Sequence, residues 1–250
     1  ERMIGPTRSV TLSRHGRAAL LSSNGFYEVY DIATGSRRSV GFAQYAGLSG
    51  DGRTALLGNA NSFSAVDVVT GRTSHLGAFA DSAAISGDGR TALLGERGTF
   101  ELIDVQTGQT TPLLLQGVSA VLSHDGRLAL INDGGSYQAV ELPMGMERPL
   151  TRGSNAQLSA DGRTALISGG GRLEICDTLS SFCRPLFANG DARLSDDGRV
   201  VAVEEHDAVS AYDTATGASQ HLGWGRLMSL SADGHRVAVL ANGWIEFHDL

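Results

Sequence analysis

The residues of this sequence that could do chemistry fall into a repeated set and an unrepeated set. Asp and Arg recur together in a "DGR" motif, once in every 36 or 37 residues. An Asp beside an Arg has the groups for proton transfer or ion binding, but one active site needs one asymmetric arrangement of side chains. We therefore interpret the repeated pair as structural and look for function where the copies differ.

The densest unrepeated cluster of ionisable residues is Glu204, Glu205, His206 and Asp207. Carboxylates and imidazole are metal ligands and general acids or bases, but adjacent residues rarely converge on one ion. The other histidines lack ligand spacing, and the sequence has no "GxSxG" or "HExxH" motif; the "GGG" at 169–171 is not a phosphate-binding loop between a strand and a helix. We expect no metal, no cofactor and no catalytic activity.

Two cysteines, Cys176 and Cys183, stand seven residues apart on either side of an irregular turn. That spacing suits opposite strands of one hairpin, with an expected Cα separation of about 4.4 to 6.8 Å if they bond. A disulfide would replace the Asp and Gly turn chemistry that this unit is expected to lack, and it favours a periplasmic or secreted location. Two free, half-buried thiols remain the alternative.

Charge and composition exclude some partners. The 250 residues carry a formal charge of -7, which opposes a nucleic-acid surface. No apolar run reaches the roughly 18 residues that a membrane span requires. All 20 basic residues are Arg, typical of a GC-rich bacterial coding sequence, and the 33 glycines indicate many tight turns.

A repeat organises the whole chain. The motif "LSxDGR", or a close variant, begins at Leu12, Leu48, Ile85, Leu122, Leu158, Leu194 and Leu230. A fixed period in this range is typical of repeat architectures, and each unit reads as four short strands separated by turn residues. We predict an all-β fold: one seven-bladed β-propeller domain over residues 1–250, with four antiparallel strands in each blade.

Each unit is expected to hold its strands in the same way. Ser and Gly recur in the first turn, where Asp bonds to backbone amides and Gly adopts a left-handed conformation. A second "DxxTG" turn follows the third strand. A large apolar residue four positions before its acid is expected to pack between blades: Tyr27, Phe63, Phe100, Tyr137, Leu173, Val209 and Ile245.

The ends of the chain predict how the ring closes. Residues from 230 onward supply only three strands, whereas the segment from Met3 aligns with that from His221. We expect residues 1–11 to complete blade seven, with residues 4–6 pairing onto residues 245–249. Closure would remove the exposed sheet edges of an open array.

The two turn motifs resemble those of known propellers. The "LSxDGR" turn is similar to the "SPDGR" turn of the bacterial WD40-like propellers of the TolB and PD40 kind, and the "DxxTG" turn resembles that of YVTN and quinoprotein-type propellers. The proline of the family motif is absent here, and no eukaryotic Trp-Asp pair occurs. The resemblance implies a scaffold that holds partners or ligands, although such propellers also occur as enzymes.

Specificity requires asymmetry, and the units differ most in two sets of loops predicted to emerge on one face, the top. These loops join the second strand to the third and one blade to the next. The candidate binding residues there are Arg8, Gln44, Tyr45, Asp81, Asn155, Asp191, Trp224, Arg226 and Trp244; Asn61, Arg97 and Arg172 lie in the same loops.

The first functional hypothesis is a non-catalytic recognition scaffold. It would bind a protein or peptide through the top face or the mouth of the channel, as one domain of a larger bacterial protein. A secreted or periplasmic propeller that binds a small molecule or glycan is the second hypothesis, and a propeller hydrolase is the third.

Overall fold

A computed structural model describes residues 8–59, 62–77, 80–186 and 188–250. Within these residues 27 strands form six four-stranded sheets and one three-stranded sheet, all antiparallel. The all-β prediction and the seven repeated sheets are confirmed. The sheets are named blades one to seven in chain order. Residues 4–6 and Asn61 lie outside the described residues, so the predicted closure stays a prediction.

The chain divides into two compact units, residues 1–126 and 127–250. The extent of the predicted single domain also stays a prediction. Strand bounds in the first unit are β1 Ser9–Leu12, β2 Ala18–Ser23, β3 Phe26–Asp31, β4 Arg37–Phe42, β5 Tyr45–Leu48, β6 Thr54–Asn59, β7 Ser62–Asp67, β8 Thr73–Gly77, β9 Ser82–Ile85, β10 Thr91–Glu96, β11 Thr99–Asp104, β12 Thr110–Gln116 and β13 Ser119–Leu122.

The second unit continues the pattern. Its strands are β14 Leu128–Asn132, β15 Ser136–Glu141, β16 Met146–Arg152, β17 Asn155–Leu158, β18 Thr164–Gly169, β19 Arg172–Asp177, β20 Cys183–Leu186, β21 Asp191–Leu194, β22 Val200–Glu205, β23 Ala208–Asp213, β24 Ser219–Trp224, β25 Arg226–Leu230, β26 Arg236–Ala241 and β27 Trp244–Asp249. Within the described residues we find no apolar helix of the length that a bilayer requires.

The repeated "DGR" turn is a hydrogen-bonded unit. In blade two the Ser49 hydroxyl donates to Asp51 at 2.7 Å, Asp51 accepts the Arg53 amide at 2.9 Å, and Ser49 Oγ accepts the Thr54 amide at 2.9 Å. The same three bonds recur in blades three, five, six and seven. The aspartate therefore bonds to groups of its own turn, which supports the interpretation that the repeated Asp is structural.

Consecutive turns are also joined by main-chain bonds within each unit. In the first unit the His15 amide donates to Gly50, the Asp51 amide to Gly87 and the Asp88 amide to His124, at 2.9 to 3.1 Å. The second unit repeats this between blades five, six and seven. Backbone donors at these turns are therefore satisfied by the neighbouring blade.

Large apolar residues of the third strands fill the core as predicted, with one exception. Phe63, Phe100, Tyr137, Leu173 and Val209 are at most 5% exposed, and Tyr27 is half-buried. Ile245 is 55% exposed. The prediction that it is buried between blades was therefore wrong as far as the described residues show. It lies on β27, which pairs only with β26 in the described part of blade seven.

Glycines opposite two of these rings make room for them. Gly58 pairs with Phe63 and Gly95 with Phe100 across the second and third strands. A Cβ at Gly58 would lie 2.4 Å from the Phe63 ring, and one at Gly95 would lie 2.8 Å from the Phe100 ring. The aromatic ring therefore fills the space that a side chain on the paired glycine would take.

Cys176 and Cys183 form a disulfide with a Cα separation of 4.0 Å. The separation is shorter than expected because the two residues are direct register partners on β19 and β20. The Asp177 amide donates to the Phe182 carbonyl at 2.9 Å, so the adjacent cysteine pair occupies a narrow, non-hydrogen-bonded site.

The disulfide does not replace the aspartate turn in blade five, contrary to the sequence interpretation. Asp177 accepts the amides of Leu179 and Ser180 at 3.0 and 2.7 Å, and Ser181 takes the left-handed conformation with φ of 60°. These amides hold the pKa of Asp177 below its usual value, chiefly through Ser180. The disulfide therefore adds a cross-link to a turn that is already formed.

Removing the disulfide should lower the free energy of unfolding by about 2 to 3 kcal/mol, because the bond restricts a short loop in the unfolded chain. The Cys176→Ala, Cys183→Ala variant can be compared with the oxidised protein by urea unfolding. The reduced protein should unfold at about the same urea concentration as the variant. Equal midpoints for the oxidised protein and the variant would contradict the expected contribution.

Candidate functional site

The predicted top residues lie at a common end of their sheets. In each unit the residue that precedes an inner strand donates to the end of the second strand in the same blade, as in Arg8 to Ser22 at 2.7 Å and Ser154 to Ser168 at 2.8 Å. All nine candidate binding residues are exposed. In blades one, two, three and five the start of the inner strand therefore lies beside the end of the second strand.

Two candidates of the first unit have structural partners. The Tyr45 hydroxyl donates to the Ala83 carbonyl at 3.0 Å and so joins the inner strands of blades two and three. The tyrosine is 43% exposed overall, but burial around it raises its pKa. Asp81 accepts the Arg97 amide at 2.9 Å and ties the two top loops of blade three together. Arg8 and Gln44 are also exposed.

Asn155 and Asp191 meet in the second unit. They line a cavity of about 50 Å³ between the inner strands of blades five and six. Gln157, which the sequence reasoning missed, bridges these strands by donating to Ala192 at 2.7 Å and accepting from the Leu194 amide at 2.9 Å. The only signal for it was an amide side chain inside a four-residue inner strand. The cavity is too small for an organic ligand.

The remaining candidates, Trp224, Arg226 and Trp244, form what we call the Trp224 patch, at the top end of blades six and seven. Trp224 is 70% exposed and Trp244 is 76% exposed. Arg226 on β25 pairs with Leu240 on β26. The next residue of β26, Ala241, pairs with Trp244 on β27. The arginine and Trp244 therefore stand at the same end of blade seven.

The backbone beneath the Trp224 patch is fixed. A Cβ at Gly225 would lie 2.4 Å from the Leu240 carbonyl oxygen, so glycine is required for this close approach. The Gly225 amide donates to the main-chain carbonyl of Asp207 at 2.6 Å, and the Leu227 amide donates to the carboxylate of Glu204 at 2.6 Å. Trp224 and Arg226 are therefore presented from a hydrogen-bonded segment.

The acidic cluster at 204–207 does not converge on one point. Glu204 accepts the Leu227 amide, Glu205 lies 4.0 Å from the His206 imidazole, and His206 and Asp207 form a turn with φ of 51° and 62°. Among the described residues, the grouping with the ligand atoms for a metal is Glu174, Cys176 and Cys183. Both of its sulfurs are consumed by the disulfide, so neither is a thiolate ligand.

Comparison with known proteins identifies the architecture. A chain of the mitotic checkpoint complex superposes with a TM-score of 0.66 at 12% identity, over 96% of this chain and 86% of that one. The chain has the β-propeller fold. The propeller domain of Cps50 (Swd1) from Myceliophteria thermophila gives 0.52 at 16% identity, over 83% of each chain.

TolB from Acinetobacter baumannii gives a TM-score of 0.50 at 17% identity, over 86% of this chain and 62% of TolB. No family model matches this chain, and no curated protein does. At these identities the comparisons establish the propeller fold alone. Membership of the TolB and PD40 family stays a prediction.

Proposed function

We propose that this chain is a non-catalytic recognition scaffold that binds a protein or peptide through the Trp224 patch. The observation that carries the proposal is the exposure of Trp224 and Trp244, at 70% and 76%, together with the exposed Arg226, which follows Trp224 by two residues and stands at the same end of blade seven as Trp244. Tryptophan and arginine are the residue types most enriched among side chains that dominate binding energy. A segment held by main-chain bonds presents them with little entropy to lose on binding.

The other end of the blades is less suited to recognition. Its aspartates are engaged by their own turns, and the same contacts recur in most blades. A surface that repeats from blade to blade discriminates poorly between partners, because specificity is a difference between affinities. Among the described residues, both tryptophans of the chain lie in the Trp224 patch.

Three further parts of the proposal rest on separate observations. The disulfide supports an oxidising compartment, periplasmic or extracellular. β27 has one strand partner among the described residues and Phe247 is 73% exposed, which supports the predicted pairing of residues 4–6 onto blade seven, whereas residues 9–11 belong to β1 of blade one. A chain of similar fold occurs in the mitotic checkpoint complex, which is consistent with a role in assembly but shows the fold only.

The test is a quantitative pull-down with the Trp224→Ala, Arg226→Glu variant. We expect loss of at least tenfold in recovered partner, because each central anchor contributes roughly 2 kcal/mol or more. The matched control is Phe182→Ala, Arg199→Glu, which also removes one exposed ring and reverses one exposed charge: Phe182 is 67% exposed and the Arg199 side chain 83%.

Equal recovery by both variants, with unchanged circular dichroism, would place recognition elsewhere on the chain. Elution of the wild-type protein by a free oligosaccharide but not by peptides would favour the glycan-binding alternative. Tryptophan rings also stack on sugars, so the elution with an oligosaccharide is needed to separate the two hypotheses.

A further inference from the structure

We propose a second binding site, for a carboxylate or phosphate group, in a groove between blades four and five. The groove has a volume of about 530 Å³, and its lining includes Arg152, Ser154, Gly170, Arg172 and Glu174. This is within the size range of ligand sites in proteins. The inference uses residues outside the Trp224 patch and does not depend on the proposed function.

Glycines bring the two arginines to the same groove. A Cβ at Gly169 would lie 2.8 Å from the Gly153 Cα, and one at Gly153 would lie 2.9 Å from the Ser168 carbonyl oxygen. The loop that enters blade five therefore touches the end of its second strand, backbone against backbone. Arg152 directly precedes Gly153, and Arg172 is the register partner of Gly169.

The guanidinium groups of Arg152 and Arg172 have no ion pair or hydrogen bond with any described residue. Some other arginines have carboxylate partners, as in Arg148 with Glu141 at 2.7 Å and Arg236 with Asp249 at 2.9 Å. Glu174 is the one acidic residue of the groove lining, so two cations face one anion. In a chain with a net charge of -7, this is a local excess of unpaired positive charge.

Among the described third strands, only the one at this junction begins with an arginine. Arg172 is the first residue of its third strand, and the corresponding residues of the other blades are uncharged: Phe26, Ser62, Thr99, Ser136, Ala208 and Trp244. The adjoining turn consists of Gly170 and Gly171, with φ of 59° and 75°. A Cβ at Gly170 would meet nothing within 4 Å, so this side of the groove is open.

These groups fit an oxyanion. A guanidinium presents a planar fork of N–H donors that matches carboxylate and phosphate oxygens, and such charge-assisted bonds are stronger than neutral ones. The Ser154 hydroxyl also lines the groove and donates to the Ser168 carbonyl at 3.4 Å. The site would take an acidic peptide side chain or a phosphorylated group.

Two probes test the site by isothermal titration calorimetry at low ionic strength: inorganic phosphate and a hexaglutamate peptide. We expect Arg152→Gln, Arg172→Gln to weaken binding of the responding probe by at least about tenfold. Arg97→Gln, Arg199→Gln removes the same charge from exposed side chains that each lie 3.8 Å from a carboxylate, and it should change the affinity less than about twofold. Binding by Trp224→Ala should equal that of the wild type.

Ser154→Asp provides a second variant, because a carboxylate in the groove would compete for both guanidinium groups and should weaken binding similarly. A response to phosphate alone would identify a phosphorylated ligand, and a response to hexaglutamate alone would identify an acidic peptide. The proposal is overturned if neither probe binds the wild-type protein. It is also overturned if both double variants lose affinity equally, or if the groove variant binds as the wild type does.

Discussion

Replacing Gly190 with alanine should lower the free energy of unfolding by at least about 3 kcal/mol, or prevent folding. A Cβ at Gly190 would lie 1.9 Å from the Glu204 carbonyl oxygen, and the residue has φ of 148°. The contact is with backbone, so no rotamer change relieves it. The strands β21 and β22 pair from Asp191 with Glu204 onward, and the substitution would force them apart at the first pair.

Gly243→Ala is the matched control. Gly243 also has a positive φ, of 82°, but nothing lies within 4 Å of its added Cβ. We expect it to lose only about 1 kcal/mol, from backbone strain. Urea unfolding followed by circular dichroism measures both variants. If Gly190→Ala unfolds at the same midpoint as Gly243→Ala, the close approach has been overestimated.

Replacing Phe100 with alanine should lower the free energy of unfolding by about 3 to 5 kcal/mol, because it removes a large ring from a packed site. Phe100 is 1% exposed and lies over Gly95, which has no side chain to fill the space that the ring would leave. Phe182→Ala should change stability by less than about 0.5 kcal/mol, since that ring is 67% exposed.

A double-mutant cycle separates the contact from general loss of packing. Gly95→Ala should be destabilising alone, since its Cβ would lie 2.8 Å from the Phe100 ring and 2.4 Å from Ser82 Oγ. In the Phe100→Ala background the clash with the ring is gone, so the second substitution should cost less. Additive losses would show that the glycine and the ring do not interact.

The fold could be predicted because its signals are local and repeated. Ser49, Asp51 and Gly52 act within one turn, so their types and spacing are enough to indicate the bonds that they form. Six of the seven copies repeat the pattern and the first has His15 in place of the aspartate, so the repeat also predicts the number of sheets. The position of the cysteines on opposite strands followed from hairpin spacing in the same way.

Contacts between blades were much harder to predict. Gln157 reaches Ala192 and Tyr45 reaches Ala83, over separations of 35 and 38 residues. Whether such side chains meet depends on how two sheets pack, which the repeat does not encode. Arg152 and Arg172 share a groove for the same reason, because the backbone contact at Gly153 depends on that packing. The acidic cluster at 204–207 suggested a site because its residues are adjacent in sequence, but their side chains do not converge on one point.

The contact between the turns of blades three and four has a consequence for exchanging blades. A Cβ at Gly87 would lie 2.2 Å from Nδ1 of His124, whereas blades five and seven have Ala160 and Ala232 at the position of Gly87. The turn of either blade, transplanted into blade three, would collide with this imidazole unless His124 were changed as well. The copies look interchangeable in sequence, but the turns of blades three and four are matched to each other. Duplication and recombination of such units would succeed here only when neighbouring turns move together.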